Sequence, residues 1–251
     1  MTGSPRQSDD LYDVNVEYYD LVSRTRVEAL TSVVGDWASQ VPAEERIVDL
    51  GAGTGRLTVV AARAAAGSDI DAIEPSRSMR AVLAARICDD DDLIGRVTIV
   101  PLGVPEAWSD IPNAVGGFMM LGALPHLEAR ERGALLGEIA TRLVDGGSAL
   151  VEVMQPWVAA EIPRQRFASV AMGRHRIEGL MQAEPSGDDA LVWTMTYRRV
   201  AADGAVLDEV SGSTPCWVVG PDRFAAEAAA AGLTVKWRTD ELAELAELRR
   251  G

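Results

Sequence analysis

Residues Ile47 to Gly55 read IVDLGAGTG, and this stretch decides how the rest of the chain is read. Ile47, Val48 and Leu50 form a short apolar run rich in β-branched side chains, the pattern of a buried strand. Gly51, Gly53 and Gly55 follow at alternate positions, and Arg56 to Ala66 continues as an alanine-rich helix. A strand that ends in glycines and feeds a helix brings bare backbone close to a ligand. The spacing excludes two such ligand sites. A G-x-G-x-x-G dinucleotide fingerprint needs a glycine at position 56, which is Arg56. A P-loop needs a lysine, and the stretch has none. The pattern that remains is D-x-G-x-G-x-G, beginning at Asp49.

A second acid supports a nucleoside ligand. Ala72-Ile73-Glu74-Pro75-Ser76 reads as another strand with a carboxylate at its end, and Glu74 lies 19 residues after Gly55. Nucleoside-binding α/β folds place an acid at about this distance, where an ionised carboxylate accepts from both hydroxyls of a ribose.

With these residues the chain resembles the class I S-adenosylmethionine (SAM)-dependent methyltransferases. The resemblance implies an α/β, Rossmann-like fold: a seven-stranded, mostly parallel sheet with an antiparallel β insertion as a lid. It also implies SAM as cofactor and S-adenosylhomocysteine as product. Asp49, Gly51, Ala52, Gly53 and Gly55 would lie against the methionine part. Glu74 would hold the ribose, and Pro75, Ser76 and Met79 would border the adenine. Gly103, Val104 and Leu121 would complete that edge. Relatives often carry an acid near Gly103-Val104; here the adenine contact falls to backbone.

Composition bounds the partners. The 251-residue chain suffices for one domain with an elaboration. Its formal net charge of −14 excludes a phosphate-backbone partner as the expected ligand. No apolar run reaches the length of a membrane span, and Met1 to Asp10 lacks the charged start and apolar stretch of a secretion signal. Cys88 and Cys216 stand apart, as expected of reduced thiols in the cytoplasm. His126 and His175 lie in separate segments, so no metal site is expected. A monomer or a homodimer is equally compatible.

Leu11 to Ser23, LYDVNVEYYDLVS, precedes a helical stretch from Arg24 to Gln40. Leu11, Tyr12, Tyr18, Tyr19 and Val22 can share one helical face. Small-molecule methyltransferases begin with a similar Y-D…Y-Y-D segment folded over the cofactor. By that resemblance Tyr12 and Tyr19 belong to the cofactor lid, and Tyr18 is a catalytic candidate on the acceptor side. The alternative is that these rings only pack the helix on the core.

Met79 to Arg86 reads as a helix, and Val97 to Val100 and Gly116 to Leu121 as strands. Methyltransferases of nucleic-acid amino groups have Asn or Asp at the end of the latter strand; Leu121-Gly122 argues against that reaction. His126, just beyond, is the titratable candidate for proton transfer, the alternative being a helix cap. Glu128 to Leu143 has helical apolar spacing, and RLVDGGSALVEV resembles the helix–turn–strand segment of the family.

From residue 156 to 220 the helical period gives way to strand-like pieces at Leu191–Val200, Val206–Val210 and Cys216–Val219. This is the expected substrate-binding insertion. Residues 1–155 and 221–251 form the SAM-binding core, with 1–40 as a helical lid. Trp157, His175, Trp193 and Trp217 are the acceptor-binding candidates, with arginines at 164, 166, 174, 176, 198 and 199 between them. The tryptophans read equally as the insertion's own core, and the arginines as a solvated face. Leu242 to Leu248, LAELAEL, reads as helix by composition, although the family ends in an antiparallel strand.

The whole arrangement is similar to small-molecule methyltransferases of actinomycete natural-product pathways. The aromatic insertion points to an aromatic acceptor, with C-methylation of an indole to a pyrroloindoline as the first reading. N-methylation of an amino sugar or another amine is the alternative. A SAM-binding scaffold for a cyclisation without methyl transfer, or a SAM sensor, is the reading from another class.

Overall fold

The computed structural model describes residues 6–8, 11–240 and 243–251. In chain order the elements begin with β1 (Arg6–Ser8), α1 (Leu11–Val22), α2 (Arg24–Ala38), β2 (Ile47–Leu50), α3 (Arg56–Ala64) and β3 (Ile70–Ile73). Next come α4 (Arg77–Cys88), α5 (Asp91–Arg96), β4 (Val97–Val100), β5 (Val115–Met120), α6 (Ala129–Arg142) and β6 (Leu143–Val153). The remainder is β7 (Ile162–Met172), β8 (His175–Pro185), β9 (Ala190–Val200), β10 (Val206–Trp217), α7 (Pro221–Ala230), β11 (Leu233–Asp240) and β12 (Ala243–Arg250). They fall into two compact units. One joins the chain up to Arg26 with Val158–Val218; the other joins Val27–Trp157 with Val219–Gly251.

The larger unit holds a seven-stranded sheet in the order β11-β12-β6-β5-β2-β3-β4. Strands β2 to β6 pair in parallel, and β12 runs antiparallel to both β6 and β11. This is the expected mostly parallel sheet. Its strands are apolar on both faces because helices cover both. Alternate residues divide between two cores. Val48, Leu50, Phe118, Met120, Ala149 and Val151 pack with Leu135, Leu136 and Ile139 of α6 and Phe224 and Ala228 of α7. Ile47, Met119 and Leu150 pack with Leu30, Val34 and Trp37 of α2, Ala61 and Ala62 of α3, and Leu83 of α4. Strand order reverses at β2, between β3 on one side and β5 on the other. Open α/β sheets bind ligands beyond the carboxyl ends of the strands at such a point.

The smaller unit is a five-stranded sheet in the order β1-β10-β9-β8-β7. Strands β7 to β10 pair antiparallel, and β1 joins β10 in parallel. One face packs against α1, where Tyr18 meets Ile177, Tyr197 and Val210. The other face is polar: Thr194 with Ser213 and Thr196 with Ser211 form hydroxyl pairs across β9 and β10, both at 2.8 Å.

Two readings of the sequence need correction. Leu242–Leu248 was expected to be helical; residues 243–250 are instead β12, with Leu245, Ala246, Glu247 and Leu248 all buried. Pairing on both sides outweighs the helix propensity of Leu, Ala and Glu, and Arg238 and Arg249 hold Glu247 at 2.6 and 2.9 Å. The pieces expected at Val206–Val210 and Cys216–Val219 belong mainly to one strand, β10. Its middle, Ser211-Gly212-Ser213-Thr214-Pro215, is polar because alternate positions serve the hydroxyl-rich face.

Candidate active site

The turn after β2 is held by backbone. Gly51 N–H and Ala52 N–H both donate to the Ile73 carbonyl, at 2.9 and 3.0 Å, tying the turn to the end of β3. Gly51, Gly53 and Gly55 have φ of 79°, 56° and 78°, in the left-handed region that favours glycine. Their surroundings differ. A Cβ on Gly51 would stand 2.6 Å from the Ala123 Cβ, and one on Gly55 2.1 Å from Leu83 Cδ1. A Cβ on Gly53 would meet nothing within 4 Å. The outer glycines answer to the protein's own packing; the middle one leaves an open cradle.

Glu74 frames that cradle. Its Oε2 accepts from Gly53 N–H and its Oε1 from Ser76 N–H, both at 2.7 Å. Both carboxylate oxygens are thus oriented by backbone donors, and an ionised carboxylate is the acceptor that a vicinal diol requires. Asp49 is buried on β2 and accepts from Thr58 Oγ1 at 2.6 Å. Burial pushes its carboxyl up to about 7; the Thr58 hydrogen bond opposes the shift and the nearby Glu74 charge adds to it. Two acids beside one glycine turn favour a cationic ligand.

His126 ends a short 3-10 turn, Leu124–His126, beyond β5. Its N–H donates to the Ala123 carbonyl, so the residue that abuts Gly51 also starts the histidine's turn. Burial lowers the imidazole's pKa, which keeps it neutral and able to accept a proton near pH 7.

A family model described as "Methyltransferase domain" matches residues 23–235. The chain belongs to the methyltransferase-domain family. It is a SAM-dependent enzyme, and the residues present fit that cofactor: an open cradle at Gly53, a carboxylate oriented by backbone donors at Glu74 and a second acid at Asp49. No curated protein matches it in sequence. Among solved structures it resembles DesVI of Streptomyces venezuelae, with 17% identity and a TM-score of 0.72 over 96% of this chain and 98% of that one. It also resembles SAM-bound CalS10 of Micromonospora echinaspora, an amino pentose methyltransferase. There the identity is 16% and the TM-score 0.68, over 99% of this chain and 100% of that one. KedS8, a sugar N-methyltransferase of a Streptoalloteichus species, aligns with 16% identity and a TM-score of 0.65 over 100% of this chain and 97% of that one.

The methyltransferase places the other expected cofactor residues as follows. Ser76 caps α4, accepting from Met79 N–H at 3.4 Å. Met79 itself is buried. A Cβ on Gly103 would lie 3.7 Å from Pro75 Cβ, so the loops after β3 and β4 meet there. Val104 helps line a cavity of about 240 Å³ with Trp108 and Leu127. Ala52 and Leu121 pack against the same core cluster. Several supports have no sequence signature. Arg80 holds the Glu74 and Pro75 carbonyls at 2.8 and 2.6 Å, and Arg86 holds the Thr54 carbonyl at 2.8 Å. Two arginines of one helix thus brace both loops, and only the folded chain brings them there.

The remaining candidates, Trp157 excepted, belong to the smaller unit. Tyr18, expected as catalytic, is buried and stacks on Tyr197 with ring centroids 5.5 Å apart. Burial, then the Glu17 and Asp208 charges, raise its phenol pKa, so a tyrosinate is disfavoured. Tyr12 and Tyr19 are half-buried on α1. Trp193 donates to Met195 Sδ at 2.9 Å and packs on Ala183, Leu191 and Val218. Trp217 ends β10, half-buried. His175 accepts at Nε2 from Arg174, at 3.4 Å, and its buried Nδ1 has no hydrogen-bond partner among the described residues. Trp157, in the larger unit, lies against Gly220.

Proposed function

We propose that this methyltransferase transfers a methyl group to the nitrogen of a small-molecule amine, with amino sugars as the first class to test. When bound, SAM supplies a methyl group carried on a positively charged sulfur. The nitrogen–carbon bond forms as the carbon–sulfur bond breaks, and the amine loses a proton. The Gly53 cradle, Glu74 and Asp49 hold the cofactor. His126, its imidazole neutral, accepts the proton that the nitrogen releases as it is methylated. Much of the acceleration then rests on placing the two reactants together.

The observation that carries the reading is the neutral, half-buried imidazole of His126 on the turn that touches the glycine loop. An amine needs only that one acceptor for its proton. Two solved relatives are described as acting on an amino pentose and at a sugar nitrogen, which supports the same class. The aromatic side chains that pointed to an indole are engaged locally, Tyr18 with Tyr197 and Trp193 with Met195. Both described cysteines are free, in keeping with a reducing cytoplasm. Among the described residues no helix is long and apolar enough to cross a membrane.

Incubation with methyl-labelled SAM, an amino-sugar panel and an indole panel tests the proposal by mass spectrometry and NMR. Label on an amine nitrogen is expected. Label on an indole carbon would overturn the acceptor class. SAM binding without transfer to any acceptor would favour the scaffold or sensor reading.

A further inference from the structure

Arg132 lies on the apolar face of α6, in line with Leu135, Leu136 and Ile139, and is fully buried. A charge in that position is costly unless each donor is satisfied in good geometry. Its Nε and Nη2 donate to the two oxygens of Glu227 on α7, both at 2.9 Å, in a fork-on-fork pair. A tie between two helices would be complete at that point. Instead Nη1 reaches out of the helix to the carbonyl of Leu127, at 2.9 Å.

Leu127 immediately follows His126. Its own N–H closes the 3-10 turn on the Leu124 carbonyl, at 3.1 Å, and both leucines sit in the core cluster beneath α6. The turn is therefore gripped at two points. Ala123 at its front abuts Gly51 of the cofactor turn, and Arg132 holds the carbonyl at its back. Glu227 also receives Arg223, at 3.3 Å, which keeps the carboxylate aligned under the buried guanidinium.

We propose that Arg132, oriented by Glu227, is a positioning residue that sets the His126 turn against the cofactor loop. The inference rests on the reading of His126 as proton acceptor for its kinetic consequence, but not for its structural one. Lysine at 132 keeps the charge and cannot serve both Glu227 and Leu127 in this forked geometry. Loss of one charge-assisted hydrogen bond to the turn should lower turnover about tenfold while leaving the SAM dissociation constant within about twofold.

The test compares wild type, Arg132→Lys, Glu227→Gln, His126→Ala and the Arg132→Lys/His126→Ala double variant, each first shown to be folded by circular dichroism. His126 and His175 are the only histidines, so their ring resonances are readily assigned by NMR. In Arg132→Lys and, less strongly, in Glu227→Gln, the His126 signals should move while those of His175 stay. Turnover should fall in Arg132→Lys yet show no further loss when the substitution is added to His126→Ala. Unmoved His126 signals in both folded variants would overturn the positioning role. Additive kinetic losses would show that Arg132 acts on turnover by another route. A fully active His126→Ala, with His126 signals still displaced in Arg132→Lys, would retain the positioning role and remove His126 as the proton acceptor. If Arg132→Lys does not fold, Glu227→Gln decides the matter by the same resonances.

Discussion

The glycine turn of the larger unit and the sheet of the smaller unit satisfy their polar groups in opposite ways. In the larger one the cofactor residues are set by backbone: φ angles at three glycines, two N–H donors on Glu74, two more on the Ile73 carbonyl. In the smaller one side chains satisfy each other. Glu178 is shared by Arg166 and Arg176, at 3.0 and 3.2 Å, and Glu209 by Arg164 and Arg198. Four of the arginines that read as a solvated face are thus engaged with two carboxylates. A backbone-built site tolerates sequence change around it and demands glycine within it. A side-chain-built surface is free to diverge, since its ion pairs demand no glycine.

The sharpest way to break the comparison is to treat the glycines separately. Gly51→Val forces a β-branched side chain into the left-handed region and against Ala123, and should cost roughly 3 kcal/mol or more of stability. Gly53→Ala has the same backbone penalty of about 1–2 kcal/mol without the collision. It should fold and yet bind SAM about a hundredfold more weakly, because its methyl enters the cradle. Thermal melts and calorimetric titration separate the two. Gly53→Ala with native affinity would mean the cradle is not where the cofactor lies.

This pair also shows what was legible in advance. Glycine spacing and short apolar runs identify the strand, the turn and the sheet, because both are local signals. Strand β7 escaped because it is an edge strand with mostly exposed residues, so no apolar alternation marks it. Arg132 escaped for the opposite reason: its partner Glu227 lies 95 residues away, and nothing in the helix around it reports a buried ion pair. The placement of Tyr18 was ambiguous in principle, since a ring on a helix face looks the same whether it packs or reacts.

A smaller effect is expected at Glu74. In Glu74→Gln the amide nitrogen cannot accept, so either Gly53 N–H or Ser76 N–H loses its partner and the ribose loses an anionic acceptor. Loss of a charge-assisted hydrogen bond, about 1.5–3 kcal/mol, corresponds to a tenfold or greater fall in SAM affinity. Calorimetry showing unchanged affinity would remove Glu74 from the cofactor site.

Asp49 sharpens the comparison through pH. Its carboxyl titrates near 7 in the folded chain against an ordinary 3.8. Between those values the folded chain holds a proton that the unfolded chain has released, so stability from the neutral acid is full below about pH 4 and is lost as pH rises toward 7. Asp49→Asn is neutral throughout and can still accept from Thr58. It should therefore match wild type near pH 4 and exceed it by about 1–3 kcal/mol at pH 8, in ligand-free urea unfolding. An equal gain at both pH values would show that the substitution acts by packing and not by titration.

The smallest effect is expected on the turnover of Tyr18→Phe in the smaller unit, which tests whether aromatic residues there pack or react. Tyr18→Phe keeps the ring on Tyr197 and the contacts with Ile177 and Val210. If Tyr18 only packs, turnover should stay within about twofold, a change of less than 0.5 kcal/mol in the barrier. Tyr18→Ala removes the ring from a buried cluster and should destabilise the fold by about 3–5 kcal/mol. Kinetics on the first variant and urea unfolding of the second make a complementary pair. A large fall in turnover for Tyr18→Phe, with stability intact, would mean that the hydroxyl does chemistry despite its burial. The contrast between a backbone-built glycine turn and a self-packing smaller unit would then fail at the one residue where the two readings of the chain differed most.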